Sequence, residues 1–60
     1  MKPEDLRPGD WVTWNGLRAS VTHTVGTRGQ RHRWIVGLAF EGTDVLTQVY
    51  VNPDTVLEAG

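Results

Sequence analysis

Three arginines and one histidine lie close together near the middle of the chain: Arg28, Arg31, His32 and Arg33. An arginine side chain presents a planar fork of N–H donors that matches the oxygens of a phosphate group. A cluster of such side chains at a hairpin tip is a candidate site for a nucleotide, a nucleic acid or another phosphate-bearing ligand. The alternative interpretation is that these charges only solvate the hairpin tip, and the sequence leaves both open.

The two histidines and the single serine predict neither catalysis nor metal binding. His23 is expected on the apolar face of a strand, as a satisfied core histidine. His23 and His32 are predicted to be diagonal neighbours, but no carboxylate or thiolate stands at a spacing that would complete a metal site. Alternation predicts that Ser20 and His23 lie on opposite faces of the sheet, which argues against a hydrolytic Ser-His pair within one chain. We therefore predict no catalytic residue, no metal and no cofactor from these residues.

Composition limits the size and class of the protein. The chain has 60 residues, no cysteine and a formal net charge of −1. One domain over residues 1–60 is expected, with residues 1–8 as a tail and a core that is small for a disulfide-free chain. The absence of cysteine fits a cytoplasmic location. The near-neutral net charge does not favour nucleic acid as a partner. No apolar run is long enough to span a membrane.

Short alternating runs separated by turn residues indicate an all-β fold with five antiparallel strands. The expected strands cover residues 10–15, 17–25, 31–40, 45–51 and 56–58. Pro8-Gly9 and Asn15-Gly16 are predicted turns. A short 3₁₀ turn is expected at residues 52–55, before the last strand, and residues 2–6 form either one helical turn or an extended tail.

Alternation also predicts which side chains face the core. In the second strand the inward set is Leu17, Ala19, Val21, His23 and Val25. In the third strand it is His32, Trp34, Val36, Leu38 and Phe40. With Arg28-Gly29 at the centre of the turn, Val21 would lie opposite Val36, His23 opposite Trp34, and Val25 opposite His32. Trp14 and Trp34 are expected to be core residues.

The same alternation leaves several large side chains on the other face of the sheet. These are Trp11, Ile35, Leu46, Gln48 and Tyr50. An apolar strip on the second face is unusual for a small monomer, so it predicts an interface with further copies of the chain or with a partner protein. Alternatively, loops or the N-terminal tail cover the strip.

The order of the predicted elements resembles the SH3-like small barrels, a group that includes Tudor and KOW modules. The resemblance rests on Pro8-Gly9-Asp10-Trp11-Val12 near the start and on Tyr50-Val51-Asn52-Pro53-Asp54-Thr55-Val56-Leu57 near the end. It implies a five-stranded SH3-like antiparallel barrel. Such a fold does not by itself identify a ligand.

A narrower resemblance is to the plasmid-borne type II, trimethoprim-insensitive dihydrofolate reductases. It rests on Gly9-Asp10-Trp11-Val12, Thr47-Gln48-Val49-Tyr50 and Leu57-Glu58. That family forms a homotetramer around one pore lined by a Val-Gln-Ile-Tyr stretch, so the resemblance implies Gln48, Val49 and Tyr50 as site residues and NADPH as cofactor. Here Thr47 replaces the leading valine, and Trp14 stands at about the position of the family's first-strand lysine.

Three functional hypotheses follow from these patterns. The first is a small SH3-like binding module that self-associates and binds a partner protein or a phosphate-bearing ligand. The second is a diverged reductase-like pore enzyme that uses NADPH. The third is a structural subunit of an assembly.

Overall fold

The chain folds into a single open antiparallel sheet. The computed structural model describes residues 1–26 and 33–60. A 3₁₀ helix at Pro3–Asp5 precedes five strands: β1 Trp11–Trp14, β2 Leu17–Gly26, β3 Trp34–Phe40, β4 Leu46–Val51 and β5 Glu58–Ala59. The strand order is β4-β3-β2-β1-β5, so β4 and β5 form the two edges and the sheet is not closed across the described residues. The predicted all-β, five-stranded antiparallel architecture is confirmed.

Two of the predicted turns follow from residues that tolerate positive φ. Gly9 has a φ of 96°, and the Asp10 N–H donates to the Arg7 carbonyl at 3.0 Å, which closes the Pro8-Gly9 turn. Asn15 and Gly16 have φ values of 50° and 79°. Positive φ at both central residues is the signature of the type I′ turn, whose twist matches that of two paired strands. The hairpin of β1 and β2 is therefore specified locally.

The core lies on one face of the sheet, called the inner face here. Its buried apolar residues are Leu6, Val12, Ala19, Val21, Val36, Leu38, Val51 and Leu57. Trp14, Trp34, Phe40 and Val49 pack around them and remain partly exposed. Leu6 and Leu57 come from the segments that flank the sheet, so these segments complete a core that five short strands cannot bury alone.

The predicted pairing of β2 with β3 is wrong. Val21 lies opposite Leu38, His23 opposite Gly37, and Val25 opposite Ile35. The register shifts between Val21 and His23, where β2 carries one extra residue. Such a β-bulge reverses the alternation beyond it. His23 and Val25 consequently lie on the opposite face from the core, called the outer face here, and the expectation of a buried His23 is also wrong.

The ends of several strands differ from the prediction. The described part of β3 begins at Trp34, and residues 31 and 32, including the predicted His32 pairing, lie outside the described residues. The last strand is Glu58–Ala59 and starts later than predicted. The Leu57 N–H donates to the Met1 carbonyl at 2.8 Å, so Leu57 does not pair with β1.

The Thr55 N–H donates to the Asn52 carbonyl at 3.0 Å and closes the turn expected at residues 52–55. Leu17, predicted to face the core, is exposed at the end of the hairpin.

Candidate interaction surface

The outer face carries the five side chains predicted to form an interface. They are Trp11, Ile35, Leu46, Gln48 and Tyr50, and this set is called the outer strip below. The register aligns Ile35 with Tyr50 and connects Leu46 to Trp11 through Ala39 and Ser20. Leu46 is 74% exposed and Tyr50 62%. The most exposed apolar area of the strip therefore lies on β4.

Val25 extends the outer strip, and sequence alternation missed it. It is 48% exposed and lies opposite Ile35. Strict alternation had placed it in the core, because a bulge leaves no mark in the pattern of β2 itself. A signal is present on the partner strand, where Gly37 interrupts an otherwise apolar run. Glycine inside a strand often marks a bulge or a close approach of another group.

The strand β4 is an edge without the usual protection. Natural proteins protect sheet edges with charged residues, proline, bulges or very short strands. β4 spans six residues, Leu46–Val51, and contains no charge and no proline. The opposite edge, β5, has only two residues and includes Glu58. Of the two edges in the described sheet, β4 is the one suited to pairing with another strand.

Trp11 is less accessible than the β4 members of the outer strip. The Arg18 guanidinium lies 4.2 Å from the centroid of its ring, and Arg18 Nη1 donates to Glu41 Oε1 at 2.9 Å. Both side chains of that ion pair are about half exposed. Exposed pairs of this kind contribute little stability, but they cover one side of the indole ring.

His23 and Gln48 form a polar group on the outer face. The Gln48 amide Nε2 can only donate, so the His23 Nε2, 3.3 Å away, accepts. His23 Nδ1 then carries the proton and donates to Thr22 Oγ1 at 3.0 Å. The imidazole lies over Gly37, because a Cβ added there would overlap His23 Cε1 and Thr22 Oγ1. The bulge and Gly37 together position this ring on the surface.

The bulge also changes the relation between His23 and Ser20. Ser20 lies opposite Trp11 and Ala39, on the outer face. The prediction that Ser20 and His23 occupy opposite faces is therefore wrong. The hydrogen bonds of the His23 ring go to Thr22 and Gln48. Within residues 1–26 and 33–60, no group of three or more histidine or acidic side chains could hold a metal ion.

Most of the arginine cluster lies outside the described residues. Arg28, Arg31 and His32 belong to that part of the chain, and Arg33 is exposed just before β3. Binding of a phosphate-bearing ligand by these arginines stays a prediction.

The residues implied by the reductase resemblance divide between the two faces. Gln48 and Tyr50 are exposed on β4, whereas Val49 and Trp14 pack against the core. The position of the family's lysine is thus occupied by an indole on the opposite face from Gln48. A pore built around Gln48 and Tyr50 would lack that charge.

Comparisons with known proteins supply no relative. No protein-family model, no curated protein and no solved structure matches the chain. Among the described residues, no helix is long and apolar enough to cross a membrane. Proposals about function therefore depend on the geometry of the outer face.

Proposed function

We propose that the chain is a small binding module that self-associates by pairing β4 of one copy with β4 of another. The observation that carries the proposal is the uncharged six-residue edge strand β4, whose Leu46 and Tyr50 side chains are exposed on the outer face. An unpaired row of backbone N–H and C=O groups along such an edge is a template for a further strand. The module would act by strand addition, with a second copy as its first partner.

A two-fold axis perpendicular to the sheet sets the antiparallel orientation of this pairing, and the position of the axis along β4 sets its register. Strands related by such an axis run antiparallel, and their outer faces lie on the same side. With the axis at Gln48, this residue faces its own copy and Leu46 faces the partner's Tyr50. Aliphatic and aromatic side chains directly opposite each other are a stabilising cross-strand pair. The two Gln48 amides can also hydrogen-bond across the axis, which gives the apolar seam one polar, register-setting contact.

The expected strength of this association is moderate. Apolar surface removed from water contributes roughly 25 cal/mol per Å². The pairing covers mainly the side chains of Leu46 and Tyr50, which belong to the six-residue strand β4. An interface of this kind is at the small end of specific protein interfaces, so we expect a dissociation constant that is roughly micromolar.

The register predicts one contact that a single chain cannot make. Leu46 and Tyr50 are four residues apart on one extended strand, which separates their Cα atoms by roughly 13 Å. In the proposed dimer they are direct neighbours across the axis. A mixture of isotope-labelled and unlabelled protein should therefore show nuclear Overhauser contacts between the Leu46 methyls of one copy and the Tyr50 ring of the other.

The same experiment contradicts the proposal if the intermolecular contacts connect other residues. Contacts between residues of β5, or between Trp11 and its own copy, would assign the interface elsewhere. The absence of any intermolecular contact at millimolar concentration would remove self-association altogether.

A further inference from the structure

Three unusual features of the outer face lie at or beside one cavity. These are the bulge in β2, the glycine in the middle of β3 and the exposed imidazole of His23. The cavity has a volume of about 540 Å³ and is lined by Thr22, His23, Leu46, Thr47 and Gln48. Small-molecule sites usually occupy about 300–1,000 Å³, so the cavity is large enough for a small ligand.

Two of these features weaken the sheet that contains them. A bulge interrupts the hydrogen-bonded ladder, and a glycine inside a strand adds chain entropy to the unfolded state without contributing a side chain to pack. The group they position, the His23 ring, lies on the opposite face from the core and takes no part in its packing. Departures from strand rules that do not serve the core are expected at functional sites.

The lining of the cavity favours an anion with an apolar part. Gln48 has an amide with two N–H groups, Thr22 has a hydroxyl, and a protonated imidazole has two N–H donors. The lining contains no acidic side chain. Leu46 adds an apolar wall. Titratable groups on the surrounding strands include Tyr50 on β4 and Arg18 near the start of β2, which is paired with Glu41 just after β3. Arg33 lies just before β3.

We propose that this cavity binds a small organic carboxylate. In this arrangement the hydrogen bond between Gln48 Nε2 and His23 Nε2, 3.3 Å apart in the free protein, is replaced. The protonated His23 and Gln48 then both donate to the carboxylate, and Leu46 contacts the apolar part of the ligand. Thr22 accepts from His23 Nδ1 and so holds the ring with its other nitrogen facing the ligand. All lining residues belong to one copy of the chain, and two of them, Leu46 and Gln48, would also contact the partner copy in the proposed dimer.

The test is a titration of the protein with isobutyrate, followed by the amide NMR shifts of Thr22 and Gln48. The titration is made at about pH 6. We expect saturable shifts with a dissociation constant on the order of 1–10 mM, as is reasonable for so small a ligand. The neutral analogue isobutyramide should bind roughly tenfold more weakly, because it lacks the charge that the imidazolium recognises.

Two variants and one control localise the binding. His23→Ala removes the ring, and Gly37→Ala displaces it without changing its chemistry, because the new Cβ overlaps the ring. Both should lose saturable binding, whereas Val25→Ala, on the same strand but outside the cavity, should retain it. His23 is exposed, so the first variant should fold even if the second does not. Equal binding of isobutyramide, or binding that survives His23→Ala, would overturn the proposal, as would the absence of saturable shifts in the parent.

Discussion

Replacing Val21 by aspartate is expected to unfold the protein at room temperature. Val21 is 2% exposed and lies opposite Leu38 in the core. An unpaired carboxylate buried there costs about 4 kcal/mol or more. The core of a chain of 60 residues rarely supplies more than about 3–5 kcal/mol of net stability, so this one substitution removes most or all of it. Circular dichroism should show no cooperative thermal transition.

The matched control is Val25→Asp, the same substitution four residues further along β2. Simple alternation predicts that both valines face the core, whereas the bulge moves Val25 to the outer face, where it is 48% exposed. We expect this variant to melt within about 4 °C of the parent. If both variants unfold, the bulge is wrong, and if Val21→Asp melts like the parent, the assignment of the inner face is wrong.

Replacing Leu46 by glutamate should weaken self-association and leave the fold intact. Leu46 is 74% exposed in one copy, so the monomer loses little packing. In the proposed dimer, the new carboxylate would face the partner's Tyr50 and would place a charge on an edge that has none. We expect association to weaken by tenfold or more, since truncating or charging a central contact typically costs about 1–3 kcal/mol of binding free energy.

Val56→Glu is the control for this variant. Val56 is 67% exposed and lies between β4 and β5, outside the outer strip, so the substitution adds the same charge to a similarly exposed site. Sedimentation should give a smaller mean mass for Leu46→Glu than for the parent and an unchanged mass for Val56→Glu. Equal masses for the two variants would show that β4 has no special role.

Local signals in the sequence were sufficient for the strand count and the turns. Pro8-Gly9 and Asn15-Gly16 specify their backbone conformations through residues that accept positive φ, so these turns could be placed without knowledge of the fold. The inner face of β3 was also predictable. Val36 and Leu38 are buried there, and no bulge interrupts the alternation of that strand.

Features that depend on contacts between distant residues were not predictable in the same way. The bulge at Thr22 depends on how β2 meets Gly37, and the run of residues 17–25 alternates through it without a break. The start of β5 depends on a hydrogen bond between Leu57 and Met1 at opposite ends of the chain. His23 was assigned to the core for the same reason, so the polar group it forms with Gln48 became visible only in the folded chain.

Self-association of the unmodified protein is the most direct test of the proposed function. Sedimentation equilibrium over a range from roughly 0.05 micromolar to one hundred micromolar brackets the expected dissociation constant. We expect a weight-average mass that rises with concentration from the 6.7 kDa of one chain toward twice that value. A folded protein that stays at the mass of one chain up to the highest concentration would contradict the proposed function.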